Sequence, residues 1–305
     1  MEHNGGKIRS ERRVWHIYQR ARHGFVVFYN TRDCLVFFTI FSIKATRHNI
    51  KVLGLCLMFN HIHIIVEAPD KAMVATFMRD VMSRFAMLYN KRHGISGQLF
   101  RSYGLALKKG EKAIRTTLAY LYNNPVEDGL CRKAEEWQWN FLAYSQSECP
   151  FSDKLILKRA TKRLRHSIEQ VRVLRKSGCI LGYEAIDSLC KNLDATEKKQ
   201  MADHIINLYS VINFNSTTSF YGNYSKMLRA FESNTGSEYD IAESYENHSG
   251  PSYRKMSQYA SKDIYSLLCQ PIESREKYLA ELLLNCHIKR QHAMKFLHID
   301  SEEAR

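Results

Sequence analysis

Short alternating apolar segments and longer segments with helical spacing follow one another through residues 14–150. Strand patterns, rich in aromatic and β-branched residues, occur at 14–20 with 24–29, 51–58, 61–67 and 98–108. Helical spacing occurs at 32–48, 70–94 and 111–124, with caps expected at Thr31 and Asp70 and an end at Pro125. The order β–α–β–β–α–β predicts an α+β fold with a ferredoxin-like antiparallel sheet. A C-terminal helix that carries tyrosines follows this unit.

Beyond about residue 150 the pattern becomes mainly α-helical. We predict a first domain at 1–150, a basic helical extension at 151–212, a polar loop or linker at 213–252 and a helical region at 253–305. The last region resembles an incomplete helix-turn-helix, because its second helix would open at 288–291 and little chain remains for a recognition helix. Such a region predicts either DNA binding or a contact with protein.

Composition and charge narrow the classes of function. The 305 residues include no run of about 18 apolar residues and no signal-peptide pattern, so we expect no membrane span. Eight scattered cysteines without a Cys-x-x-Cys pair favour a reducing cytoplasm over a disulfide framework or a zinc ribbon. The net charge of +14 divides into +10 for 1–150, +5 for 151–195 and −1 for 196–305. The first two-thirds therefore suits a polyanionic partner.

Two histidines separated by one residue lie in the third predicted strand, in the sequence Asn60-His61-Ile62-His63. Side chains alternate along a strand, so His61 and His63 share a face while Ile62 points to the other. Two imidazoles on one face of a rigid strand can provide two ligands to a single metal ion. Two polar side chains on a solvated strand face are the alternative, and the commoner meaning of such a pair by itself.

The helix before Pro125 carries Tyr120 and Asn124, which are four residues apart and therefore share a helix face. A phenol can act as a covalent nucleophile, and an amide oxygen is a hard ligand suited to Mg²⁺ or Mn²⁺. The alternative is a packing helix rich in tyrosine. Tyr122 is a rival nucleophile, but it lies about 200° around the helix from Tyr120.

Together the two motifs resemble those of the single-tyrosine HUH transposases, named after the sequence His–hydrophobic–His. LMFNHIHIIV resembles the HUH signature, and YLYNNPVEDGL resembles the Tyr-x-x-x-Asn-Pro-Val-x-x-Gly-Leu segment of the REP-associated branch. The resemblance covers about residues 10–146 and identifies 1–150 as the catalytic domain. The family usually has proline in place of Phe59, and insertion-sequence relatives often have glutamine as the third metal ligand.

The resemblance implies that His61, His63 and Asn124 bind a divalent metal ion, Mg²⁺ or Mn²⁺, and that Tyr120 is the nucleophile. It implies a transposase that cleaves and rejoins single-stranded DNA carrying short hairpins, through a 5′-phosphotyrosine intermediate. The chain has no GxxxxGK[ST] phosphate loop, so no nucleotide cofactor is expected. The resemblance allows a monomer or a homodimer, and it implies a cytoplasmic protein that associates with the bacterial nucleoid when bound to DNA.

Basic side chains near the tyrosine helix are candidates for holding the DNA backbone, which positions a strand without reading its sequence. They are Lys108, Lys109, Lys112 and Arg115, with Arg101 and Arg84 as weaker candidates. Each could equally be a solvated surface charge. Two other functions stay open: a domesticated or inactive relative that binds DNA or RNA hairpins without cleaving them, and a metal hydrolase in which Glu67 completes the histidine pair.

Overall fold

A four-stranded antiparallel sheet forms the centre of the first half of the chain. The computed structural model describes residues 13–233, 249–260 and 264–300. The strands are β1 (Arg13–Arg20), β2 (Lys51–Leu57), β3 (His61–Ala68) and β4 (Gly104–Lys108). Their order across the sheet is β2–β3–β1–β4, with every neighbouring pair antiparallel. This order confirms the predicted ferredoxin-like α+β fold.

Two long helices, α1 (Thr31–Arg47) and α2 (Lys71–His93), cover one face of the sheet. Their phenylalanines pack in one apolar core with Ile62, Ile64 and Val66, the side chains of β3 that alternate with the two histidines. Because these isoleucines and this valine are fully buried, a one-residue slip of β3 would move the histidines into the core. The apolar core therefore fixes the register that presents the histidines on the other face.

Helix caps follow local chemistry at the ends of α1 and α2. Asn30, not the predicted Thr31, caps α1, because its side-chain oxygen accepts hydrogen bonds from the first backbone N–H groups of the helix. Asp70 caps α2 as predicted, by accepting from the N–H of Met73 at 2.8 Å. Gly94 ends α2 in the left-handed conformation, with a φ of 61°.

Two predicted strands are shorter in the structure. The segment 24–29 is not a strand: the N–H groups of Val27 and Phe28 both donate to the carbonyl of Phe59, a loop residue, so this segment does not extend the sheet. The predicted strand 98–108 pairs fully only from Gly104 onward. Before it, the chain meets the sheet at an isolated bridge between Ala21 and Phe100.

The tyrosine-bearing helix, α3 (Gly110–Glu127), covers the second face of the sheet and continues past its proline. The predicted end at Pro125 is therefore wrong. A proline removes one backbone donor, here the one that would reach the carbonyl of Leu121, but the helical path can continue. The last turn closes when the N–H of Asp128 donates to the carbonyl of Asn124 at 3.0 Å. Asn124 thus lies inside the last turn and not at a free terminus.

Gly54 of β2 allows α3 to approach the sheet closely. A Cβ built on this residue would lie 3.3 Å from Leu121 Cδ1 and 3.5 Å from the Tyr122 hydroxyl. Any larger side chain would push the helix away from the strands. The register of the sheet also shifts between Val52 and Gly54, so a bulge accompanies this contact.

The predicted basic helical extension at 151–212 contains three helices that pack on the α1 side. They are α4 (Lys162–Lys176), α5 (Tyr183–Cys190) and α6 (Ala195–Tyr209). A buried hydrogen bond joins this extension to the first domain: the Tyr183 hydroxyl donates to Asp33 Oδ1 at 2.8 Å. The extension therefore shares the core beneath α1.

The rest of the chain packs mainly on the α3 side. Its helices are α7 (Phe214–Ser219), α8 (Tyr224–Ser233), α9 (Gly250–Tyr259), α10 (Ile264–Leu268), α11 (Ile272–Cys286) and α12 (Arg290–Phe296). The prediction of a loop at 213–252 is wrong where α7 and α8 form, and residues 234–248 lie outside the described part. Of these helices, α8 to α12 share a second apolar core with α3.

The two helices that resemble a helix-turn-helix, α11 and α12, are anchored to the first domain. The Tyr29 hydroxyl donates to the carbonyl of Phe296 at 2.6 Å, and the N–H of Val26 donates to the carbonyl of Lys295 at 3.1 Å. One side of α12 is therefore closed against the protein and carries Lys295 toward the sheet. In the described ranges, no helix is both long and apolar enough to span a membrane.

Candidate active site

The four residues singled out by the two sequence motifs meet between β3 and α3. His61 and His63 share one face of β3, with ring centroids 5.2 Å apart. Asn124 Oδ1 lies 3.0 Å from His61 Nε2, and the Tyr120 ring stands edge-on to the His63 ring at 5.0 Å between centroids. Alternate residues of a strand are about 6.6 Å apart and residues i and i+4 of a helix about 6 Å. The matched spacing lets one helix face serve both histidines.

Asn60 orients the His61 ring. Its amide N–H donates to the carbonyl of Gly24 at 3.1 Å, so its oxygen faces His61 Nδ1 at 2.8 Å and accepts the ring proton. Burial, followed by the positive charge of Arg20, lowers the pKa of His61 to about 4, although Asn124 Oδ1, which would accept from a protonated Nε2, acts to raise it. The ring is neutral near pH 7, and its Nε2 presents a lone pair.

His63 lies deeper than His61 and is fully buried. Its Nδ1 lies 3.3 Å from His16 Nε2 on the neighbouring strand, and its Nε2 has no hydrogen-bond partner among the described residues. Burial, then the neighbouring charges of His61, His16 and Arg20, holds its pKa well below the usual range. A buried nitrogen without a hydrogen-bond partner lowers the stability of the fold. Its position therefore fits a nitrogen that would contact a bound ligand.

These donors fit a small divalent cation. With the Asn60 contact in place, His61 Nε2 and Asn124 Oδ1 are both acceptors, and they face one another at 3.0 Å. Adjacent ligands of an octahedral ion at about 2.1 Å are also about 3.0 Å apart. In the described ranges, no group of three or more His, Cys, Asp or Glu side chains is placed so that it could hold a metal ion. The amide of Asn124 is therefore the oxygen donor next to the histidines.

The side chains of the two alternative candidates, Tyr122 as nucleophile and Glu67 as metal ligand, lie away from this site. The Tyr122 hydroxyl is fully buried, donates to the carbonyl of Leu53 at 3.4 Å, and has a pKa raised by burial. A neutral phenol inside a core is a poor nucleophile. Glu67, the candidate ligand of a metal hydrolase, pairs with Lys51 at 3.0 Å near the other end of β3. It lies four residues, or about 13 Å, along the strand from His63.

Three side chains of β1 that belong to neither sequence motif line the same site. His16, Tyr18 and Arg20 pair in register with Ile65, His63 and His61. The Tyr18 ring lies 4.9 Å from the His63 ring, and the Arg20 guanidinium lies 5.6 Å over Tyr18. The sequence carries a signal for them, because a histidine, a tyrosine and an arginine recur at every second position of β1, on one face of the strand.

The predicted DNA-backbone cations fall at different distances from this site. Lys108 ends β4 on the histidine face and is buried, and Arg101 is exposed beside Arg20, whose carbonyl accepts from its N–H at 3.0 Å. Lys109, Lys112 and Arg115 are exposed at the start of α3. Arg84 is exposed on α2, which covers the opposite face of the sheet, so the structure does not bring it to the site.

Residues 14–124 match the model of a family described as "Transposase IS200 like". This segment contains all four motif residues and the three side chains of β1. A solved structure of a REP-associated tyrosine transposase bound to a REP hairpin is similar to the chain, with a TM-score of 0.38, 14% identity, and coverage of 43% of this chain and 78% of that chain. Among curated proteins, none matches significantly. Through residues 14–124, the chain is similar to the IS200-like transposases.

Proposed function

We propose that the protein is a transposase that cleaves and rejoins single-stranded DNA carrying hairpins, through a 5′-phosphotyrosine on Tyr120. A divalent cation, Mg²⁺ or Mn²⁺, would be held by His61, His63 and Asn124. The observation that carries the proposal is the convergence of α3 on β3, which places Asn124 at His61 and Tyr120 at His63. The match of residues 14–124 to the family of IS200-like transposases supports the same chemistry.

The covalent step exchanges one phosphate ester for another. The phenol of Tyr120 loses its proton, its oxygen attacks a backbone phosphorus, and the bond from phosphorus to O3′ breaks. The departing O3′ takes up a proton and becomes a free 3′-hydroxyl, while the 5′ side stays joined to the tyrosine. A second 3′-hydroxyl can reverse the step, so strands are rejoined without ATP or another energy source.

The residues around Tyr120 have separate tasks in this step. Neutral imidazoles at positions 61 and 63 keep the lone pairs that a cation needs, because burial lowers their pKa values. The bound ion would polarise a non-bridging oxygen of the scissile phosphate. Arg20 supplies fixed positive charge beside both histidines, where the phosphate would carry its negative charge.

A test of the tyrosine chemistry compares three versions of the full chain. Wild type, Tyr120→Phe and Tyr122→Phe are incubated with a labelled single-stranded hairpin DNA from the gene's own flanks and Mn²⁺ or Mg²⁺. A denaturing protein gel then reports covalent adducts. We expect a metal-dependent adduct with wild type and Tyr122→Phe, and none with Tyr120→Phe, since Tyr120 faces His63 whereas the Tyr122 hydroxyl points to the carbonyl of Leu53.

The possible failures separate the remaining hypotheses. An adduct that persists in Tyr120→Phe would place the nucleophile elsewhere and sink the mechanism. DNA binding without an adduct in any version would favour a domesticated or inactive relative that binds hairpins. Release of cleaved DNA without an adduct, insensitive to Tyr120→Phe, would favour metal-dependent hydrolysis.

A further inference from the structure

Three cations from distant parts of the chain meet beside the histidine face. Arg20 ends β1 directly opposite His61, and the N–H of Arg101 donates to the Arg20 carbonyl at 3.0 Å. The third cation, Lys295, lies on α12, far beyond the segment that matches the transposase family. The structure therefore builds one charged cluster from β1, the segment before β4 and the C-terminal helix.

Lys295 is connected to His61 through two intermediate residues, Gly24 and Asn60. Its side chain passes over Gly24, where a built Cβ would lie 3.6 Å from Lys295 Cε and 3.8 Å from Nζ. The carbonyl of Gly24 accepts from the side chain of Asn60, and the oxygen of that side chain faces His61. Because Gly24 has a φ of 69° and no side chain, it leaves room for the lysine at this point.

Within the part of the chain that the structure describes, no carboxylate neutralises the cluster. Among the described residues, none of Arg20, Arg101 and Lys295 forms an ion pair with a carboxylate. Arg20 Nε is buried without a hydrogen-bond partner in that part of the chain. Burial and then the charges of Arg20 and Arg101 lower the pKa of Lys295. Like charges held together and partly desolvated are unfavourable unless an anion joins them.

We propose that Arg20, Arg101 and Lys295 form a binding site for one backbone phosphate of the DNA strand, next to the phosphate attacked by Tyr120. This inference rests on the proposed function for the identity of the anion. Two guanidinium groups and an ammonium group are the donors that phosphate oxygens accept most strongly. The C-terminal helix then belongs to the active site and positions the strand for in-line attack.

The test measures binding of single-stranded DNA by the full chain, separately from covalent chemistry. A fluorescent single-stranded oligonucleotide with one hairpin is titrated in EDTA at several salt concentrations, with wild type, Lys295→Met, Lys295→Arg and Lys289→Met. Lys289→Met is the matched control, because it removes one charge from the exposed start of the same helix. Thermal melting checks that each variant is folded.

We expect Lys295→Met to weaken binding roughly five- to tenfold, while Lys295→Arg retains it. The slope of log K against log salt should fall by about 0.7, the value for one lost phosphate contact on a single strand. Lys289→Met should change neither quantity to this extent. The combined variant Arg101→Met/Lys295→Met should lose less than the product of the single effects, because both cations would contact the same phosphate.

Three outcomes would overturn the inference. Wild-type affinity and salt slope in folded Lys295→Met would show that Lys295 contacts no phosphate, and the tyrosine chemistry could still stand. Equal losses of DNA affinity in Lys289→Met and Lys295→Met would indicate that α12 attracts DNA through its overall positive charge and that Lys295 is not part of a defined phosphate site. Absence of any single-strand binding by wild type in EDTA would leave the cluster without its ligand, whereas the adduct assay with Mn²⁺ or Mg²⁺ tests the proposed function separately.

Discussion

The two faces of β3 differ sharply in the side chains that they meet. Ile62, Ile64 and Val66 enter an apolar core that α1 and α2 close completely. On the other face, His61 and His63 meet amide, phenol and imidazole groups, and the cover is built from α3 and the C-terminal helices. The first face fixes the position of the strand, and the second face carries the buried polar groups to which we assign the proposed chemistry and which cost stability.

The comparison shows how a single strand combines these tasks. Buried imidazoles kept neutral and cations held without carboxylates are features that a purely structural strand avoids. The apolar face tolerates them because it fixes the register of the strand independently. Changes on the two faces should therefore have separable effects, on activity for one face and on stability for the other.

The largest expected effect is the loss of chemistry when His63 becomes apolar. His63→Leu removes a metal donor, and the formation rate of the DNA adduct should fall about 10³-fold or more, since a bound metal supplies several kcal/mol of transition-state stabilisation. The free energy of unfolding without metal should stay constant or rise, because a costly buried polar group is gone. Urea unfolding and single-turnover adduct assays measure the two quantities, and an adduct rate near wild type would refute this division between the faces.

The opposite change tests the apolar face. Ile64→Ala leaves a cavity between β3 and the helices α1 and α2, and should lower the free energy of unfolding by about 2–5 kcal/mol. The folded fraction should still bind Mn²⁺ with wild-type affinity, because Ile64 points away from the donors. Urea denaturation and Mn²⁺ titration below the melting temperature give both values. Loss of Mn²⁺ binding in a variant that remains folded would contradict the separation of the faces.

A smaller effect is expected from Asn60, which contacts His61 without reaching the proposed cation. Asn60→Ala removes the acceptor that fixes the Nδ1 proton of His61 and the donor to Gly24. Loss of such a supporting partner typically weakens metal affinity by about 10- to 100-fold. Mn²⁺ titration monitored by electron paramagnetic resonance would measure the change. An unchanged affinity would mean that the orientation of His61 does not depend on Asn60.

The sequence could predict which side chains of each motif share a face, because this depends on local backbone geometry. Alternation put His61 and His63 on one strand face, and four-residue spacing put Tyr120 and Asn124 on one helix face. The end of α3 was wrong because tertiary packing carried the helix past Pro125. The position of α12 could not be predicted, since nothing local indicates that Lys295 lies over Gly24, shortly after the end of β1.

The helices that cover the polar face should respond to mild acid, and His298 offers the smallest and most specific test. Its Nε2 lies 2.6 Å from the carbonyl of Val26, its ring stacks on Phe25, and burial lowers its pKa to about 4. Below about pH 6.5 the unfolded chain takes up a proton that the folded chain does not bind, so stability falls as the pH drops from 6.5 toward 4. This one group should reduce the free energy of unfolding by about 1 kcal/mol between pH 7.5 and 5.5.

His298→Gln keeps an N–H donor for Val26 but cannot titrate, so the loss of stability between pH 7.5 and 5.5 should shrink by that amount. His166→Gln is the control, because it removes an exposed imidazole from α4. Urea unfolding at both pH values measures the loss of stability in wild type, His298→Gln and His166→Gln. Other buried histidines contribute equally to this loss in all three proteins, so they cancel in the comparison. If His298→Gln loses as much stability as wild type, the anchor of the C-terminal helices does not depend on a neutral His298. The cover of the polar face would then be held chiefly by its apolar contacts, in the same way as the cover of the apolar face.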